Sequence, residues 1–141
     1  TAWGDTGKAV QRNLLQQVLD DHKDLDFVAG NALMAEAAIS VLRERGLQDR
    51  IGIVSTYFTP AVHRGILRGR ILAAPTDAPV LQGRMSIGLA VDLLERRPTR
   101  RHFGPVIRTV EQGNLGELNI DESLPPPLLM PQFYHRPDTA N

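Results

Sequence analysis

The sequence predicts an α/β fold: a three-layer parallel sheet with helices on both faces, followed by an irregular proline-rich tail. Three observations predict it. Short β-compatible runs occur at residues 25–29, 51–55 and 70–74. Longer stretches with apolar residues at helical spacing lie between them. Turn and cap residues punctuate each junction. Strand, helix, strand in this order gives parallel pairing through right-handed crossovers.

The first helix is expected to begin near Lys8, capped by Asp5 or Thr6. Val10, Leu14, Leu15, Val18 and Leu19 form its apolar stripe, and the polar run 20–24 ends it. After the strand at 25–29, Asn31 can cap a helix over 32–45, with Gly46 at its C-terminal stop. The run Ile51-Gly52-Ile53-Val54-Ser55 is apolar on both faces, as a buried parallel strand requires. Thr59-Pro60 reads as an N-cap followed by a first-turn proline, opening a helix that reaches about Arg68. A third strand ends against Pro75, whose missing N–H should stop the ladder. The chain then turns through Thr76-Asp77 into a helix over 79–97, with an apolar side of Val80, Ile87, Leu89, Ala90, Val91, Leu93 and Leu94. Residues 106–110 read as one more strand. Seven of the ten prolines lie from Pro98 onward, so the remaining chain is expected to be extended or irregular.

Composition bounds the chemistry. The 141 residues are 42% apolar and 23% charged, enough for one domain with a core. Sixteen basic residues balance sixteen acidic ones, which gives no net pull toward nucleic acid. There is no cysteine, so thiol chemistry and Cys-ligated metal are excluded. His22, His63, His102 and His135 lack metal-ligand spacing. No apolar run approaches the roughly 20 residues that span a bilayer, so no membrane insertion is expected. Residues 4–8, Gly-Asp-Thr-Gly-Lys, lack the spacing of a phosphate loop and place Ala9 where a metal-binding hydroxyl belongs. No serine elbow or carboxylate pair points to catalysis, and the protein is not expected to be an enzyme or to carry a cofactor. The chain opens at Thr1-Ala2-Trp3-Gly4-Asp5 and reads as part of a longer protein.

The remaining candidates gather at one place. Gly30-Asn31, Thr56-Tyr57 and Thr76-Asp77 all follow predicted strands, so they share the carboxyl edge of the sheet, where open α/β folds bind ligands. Asn31 and Asp77 are each as well explained as helix caps; the shared edge sets the group apart. Tyr57 and Trp3 offer aromatic faces, which attract cationic groups, or pack. The basic run Arg96, Arg97, Arg100, Arg101 and His102 suits a solvated helix end better than a phosphate site.

The chain resembles the carboxyl-terminal half of type I periplasmic sugar-binding proteins, a fold shared with LacI-type repressor effector domains. Within that group it is most similar to the trimethylamine-N-oxide sensor branch. The residues carrying this are W-G-D-T-G-K-A-V-Q-R-N-L at 3–14, A-G-N-A at 29–32, A-E-A-A-I-S at 35–40, I-V-S-T-Y at 53–57, R-G-I-L-R-G-R-I-L-A-A-P-T-D at 64–77 and Q-G-R-M-S-I at 82–87. The resemblance implies two lobes around a cleft. Residues 1–74 would form the core of the second lobe, 75–98 the hinge and a helix of the first, and 99–141 the return strand and tail. It implies ligand contacts at Trp3, Asp5, Asn31, Tyr57 and Asp77. Sugar binders commonly carry an Asp near Tyr57; the tyrosine favours a compact methylated amine oxide. It further implies a periplasmic location and signalling to a membrane histidine kinase through that kinase's periplasmic domain. The alternatives are a sugar-binding protein of an ABC transporter and the effector domain of a LacI-type repressor. Without a first lobe, the apolar side of the 79–97 helix has no cover, which predicts self-association or poor stability.

Overall fold

The computed structural model describes residues 1–5, 7–99 and 102–130. Its elements follow in the order α1 (Lys8–Asp21), β1 (Phe27–Gly30), α2 (Ala32–Glu44), β2 (Gly52–Ser55), α3 (Pro60–Leu67), β3 (Ala73–Thr76), α4 (Pro79–Leu94), β4 (Arg108–Glu111) and α5 (Ile120–Ser123), with a 3-10 turn at Leu115–Glu117. The sheet has four strands in the order β1-β2-β3-β4. The first three are parallel, as the alternation of elements predicts, and β4 returns antiparallel to β3, so the sheet is mixed.

Side chains alternate across the sheet, as the strand period of two requires. Val28, Ile53, Ser55, Ala74, Thr76 and Val110 point into the core. Phe27 and Leu72 lie on the other face, close enough about Gly52 that a Cβ there would meet either side chain at 2.6 Å. The buried face meets Ala35, Ala38, Val41 and Leu42 of α2 and Val62 and Ile66 of α3. Leu15 and Leu19 of α1 join the same cluster.

The two middle helices start as their sequence predicts. Asn31 Oδ1 accepts from the Met34 amide at 2.8 Å, and Thr59 Oγ1 from the Val62 amide at 3.2 Å. Gly46 follows α2 at φ +67°, a left-handed position that glycine adopts without a Cβ penalty. α1 differs. Its N-cap is Gly7, with no side-chain cap, and Asp5 instead receives the Gln11 side-chain amide on its backbone carbonyl at 2.8 Å. Thr6 lies outside the described residues. Along the expected stripe, Leu15 and Leu19 are buried, whereas Val10 is exposed.

Two expectations, at Pro75 and beyond β4, are corrected. β3 does not end before Pro75; it runs through Pro75 to Thr76, with Pro75 opposite Thr109 of β4. The proline is tolerated because β2 ends at Ser55, which the Val54–Ala73 register sets level with Ala74. On that side no regular strand faces Pro75, so no ladder needs its nitrogen. Beyond β4 the chain is not wholly irregular. The 3-10 turn and α5 form there, and Leu124 anchors them in the core. Asp121 and Glu122 occupy the first turn of α5, where negative charge complements the helix dipole. Pro131 and Pro137 lie outside the described residues, as do Arg100 and Arg101 of the basic run. Arg97 of that run is paired with Asp92 and Glu95.

No helix among the described residues is long and apolar enough to cross a membrane.

Candidate functional site

The registers fix the carboxyl edge. Gly30 pairs with Ser55, so Asn31 and Thr56 leave the sheet side by side, and the Thr56 amide donates to the Gly30 carbonyl at 2.8 Å. β3 reaches two residues beyond β2, ending at Thr76, and Asp77 follows it. Asn31, Tyr57 and Asp77, far apart in sequence, therefore do emerge at one edge.

Each is held differently. Asn31 caps α2, so its side-chain oxygen already carries one amide bond. Tyr57 follows the fully buried Ser55, whose Oγ donates to the Tyr57 carbonyl at 2.7 Å and accepts from its amide at 3.3 Å. That local turn fixes the backbone and splits two adjacent aromatics. Phe58 is 2% exposed and packs against His63 with ring centres 5.8 Å apart, while Tyr57 is 47% exposed. The tyrosine is available to solvent and not spent on the core. His63 is held below its ordinary pKa, first by burial and then by neighbouring Arg64.

Asp77 is not a helix cap. The N-cap of α4 is Ala78, in a left-handed conformation at φ +51°, with no side-chain cap bond. A non-glycine residue there stores strain on the order of 1 kcal/mol, and such strain persists only where surrounding structure fixes it. Thr76 supplies the fixing. Its Oγ1 accepts from the Ala78 amide at 3.2 Å and donates to Ser123 Oγ at 3.0 Å, with Thr76 and Ser123 both buried. The crossing from β3 into α4 is thus tied to α5 through a buried hydroxyl pair.

Asp77 lines a cavity of about 350 Å³ together with Gln82, Ser86 and Met85 of α4 and Phe103 and Pro105 of the returning segment. Gln82 donates to the Asp77 carbonyl at 2.8 Å, and Ser86 donates to the Gln82 carbonyl at 2.8 Å. These groups offer carboxylate, amide, hydroxyl and an aromatic face, which suits recognition of a small polar solute. Asn31 and Tyr57 lie on the same edge without lining this cavity. Trp3, 89% exposed, and Asp5, also exposed, precede α1 and do not line it either. Gln82, Ser86 and Phe103 were not foreseen as site residues. Gln82 and Ser86 stand one helical turn apart, a spacing that places them on one face. Phe103 had no local signal, since only the return to β4 brings it to Asp77.

Among the described residues, no group of three or more His, Asp or Glu is arranged to hold a metal ion.

No family model matches the chain. Periplasmic protein TorT of Escherichia coli K12 is 34% identical over 139 residues, which is 99% of this chain and 40% of TorT. The chain thus spans about two fifths of the length of the curated relatives it matches. TorT in its complexes with the TorS sensor domain, solved without ligand and in the presence of TMAO, superposes with a TM-score of 0.87 at 40% identity, covering 94% of this chain and 45% of that one. An ABC transporter solute binding protein from Bradyrhizobium sp. BTAi1, solved with bound bis-tris, gives the same TM-score at 41% identity, covering 94% of this chain and 40% of that one. The chain is thus similar to TorT in sequence, and in fold to TorT and to type I periplasmic binding proteins.

Proposed function

We propose that the chain forms one wall of a periplasmic solute-binding sensor. The sensor holds a small ligand, trimethylamine-N-oxide or a similar compact polar solute, between two lobes and signals to a histidine kinase. In this reading residues 1–74 are the core of the second lobe, 75–98 cross the hinge into a helix of the first, and 99–141 return. The observation that carries it is the shared edge: a half-exposed Tyr57, Asn31 beside it, and Asp77 at the mouth of the 350 Å³ cavity. Tyr57 offers its ring to the methyl groups, Asn31 and Gln82 offer amide N–H groups to the oxide oxygen, and Asp77 meets the partial positive charge. Closure of the lobes on the solute shifts the population toward a surface the kinase reads, with no bond made or broken. Trp3 and Asp5 are proposed as outer contacts that meet the ligand on closure.

Likeness to the Bradyrhizobium protein supports a second reading, delivery of a solute to an ABC transporter. Calorimetry on the full-length gene product tests the ligand. The sensor reading expects heat with trimethylamine-N-oxide and none with a pentose. Binding of the pentose alone would replace it with the sugar-transport reading. Co-elution with the periplasmic domain of a histidine kinase tests the partner.

A further inference from the structure

The groove between α2 and α3 carries a feature that the ligand edge does not use. Crossover helices run antiparallel to their strands, so α2 and α3 end at the amino edge, away from Asn31 and Tyr57. Along the groove between α2 and α3, from Glu36 and Ala61 to Arg43 and Arg68, lies a hollow of about 260 Å³, lined by Lys8, Arg43, Arg64, Arg68 and Arg70 and by a single carboxylate, Glu36. Glu36 already faces Lys8 at 3.9 Å. Arg43, Arg64, Arg68 and Arg70 make no ion pair or side-chain hydrogen bond among the described residues. Arg43 and Arg70 also line an adjoining hollow of about 60 Å³, so the basic strip continues past the first.

Helix dipoles explain part of this. Arg43 and Arg64 sit in the last turns of α2 and α3, where cations are favourable. Arg68 is the C-cap of α3 and shares in this, whereas Arg70 lies beyond the helix, past the left-handed Gly69, and gains nothing comparable. In a chain with equal numbers of acidic and basic residues, four unpaired guanidinium groups around one hollow is a local segregation of charge. Their mutual repulsion is relieved by an anionic occupant.

We propose that this strip binds an acidic polypeptide segment, whose carboxylates pair with the forks of Arg43, Arg64, Arg68 and Arg70. Guanidinium groups match carboxylates two bonds at a time. No aromatic side chain lines either hollow, so the stacking platform that single-stranded nucleic acid needs is missing there. The apolar lining residues, Ile39 and Ala61, are half-buried in the floor and do not project as membrane anchors. No residue that lines this groove lines the Asp77 cavity, so binding there stands or falls separately from the ligand reading.

The test is fluorescence anisotropy on the full-length gene product with a labelled decapeptide of alternating Glu and Gly. The expected result is saturable binding that weakens with added salt. It falls about tenfold in Arg64→Glu/Arg68→Glu and stays unchanged in Arg84→Glu, a charge reversal of the same kind on α4. Circular dichroism confirms folding of each variant, and Arg68→Gln/Arg70→Gln replaces the first variant if that one unfolds. Equal affinity in wild type and the folded variant would overturn the proposal. So would tighter binding of a single-stranded oligonucleotide or of phosphatidylglycerol vesicles than of the peptide.

Discussion

Two helices of this chain have similar composition and opposite fates. α2 buries Met34, Ala35, Ala37, Ala38, Val41 and Leu42. α4, richer still in Leu, Val and Ile, buries no residue, and Ile87 is 70% and Leu94 84% exposed. An apolar pattern therefore says that a face wants cover; topology decides whether the cover is close at hand. α2 is a crossover between adjacent parallel strands, so β1 and β2 receive its apolar side directly. α4 leaves the sheet through the strained Ala78 crossing and meets chiefly α5. In the two-lobe reading, its cover is the other lobe.

The largest expected effect contrasts two leucines. Leu42→Ala should cost about 2–5 kcal/mol, the usual loss for a core leucine, whereas Leu94→Ala should stay within about 0.5 kcal/mol. Urea unfolding of both variants measures this. An equal cost would show that α4 is covered in solution and would break the comparison. Next is the tie between the α4 crossing and α5. Thr76→Val leaves the Ser123 hydroxyl buried without its partner and should cost about 1–3 kcal/mol, while Thr76→Ser keeps most of the stability. A neutral Thr76→Val would show that the hydroxyl pair does not hold the crossing.

The helix starts sharpen the same contrast. Asn31→Ala removes a side-chain cap from α2 and should lower stability by about 1 kcal/mol. Ala78→Gly relieves a left-handed Cβ at the start of α4 and should be neutral or stabilising by under about 1 kcal/mol. Thermal melts distinguish a loss at one cap from none at the other. The smallest effect is that of acid on the layer under α2. His63, beside Phe58, titrates below its ordinary pKa because burial disfavours its charge. The unfolded chain then takes up the proton more readily, so the contribution is complete above about pH 6.5 and declines as pH falls toward the folded value. Replacing His63 with Gln should flatten the stability profile over that window; an unchanged slope would assign it elsewhere.

The α2 side of the molecule was legible in the sequence because its signals are local. Asn31, Gly46 and Thr59-Pro60 each act within a few residues, and the structure places them as caps and stops. The carboxyl edge of the sheet was legible in outline for the same reason, since strand ends can be read one at a time. What stayed hidden depended on distant partners. Pro75 is acceptable in β3 only because β2 has already stopped. Phe103 reaches the Asp77 cavity only because β4 returns beside β3. Ser123 is buried only because Thr76 waits 47 residues earlier. The alternative reading of Asp77 as the cap of α4 does not hold, because Ala78 takes the N-cap in a left-handed conformation that residue identity does not signal.

The most direct test of the shared edge is trimethylamine-N-oxide affinity, measured by calorimetry on full-length Tyr57→Ala and Asp77→Ala proteins. Half-exposed Tyr57 and cavity-lining Asp77 should each weaken binding by about tenfold or more, a loss on the order of 1.4 kcal/mol, while the melting temperature stays near wild type. Wild-type affinity in both variants would contradict the account and leave the fold without this site.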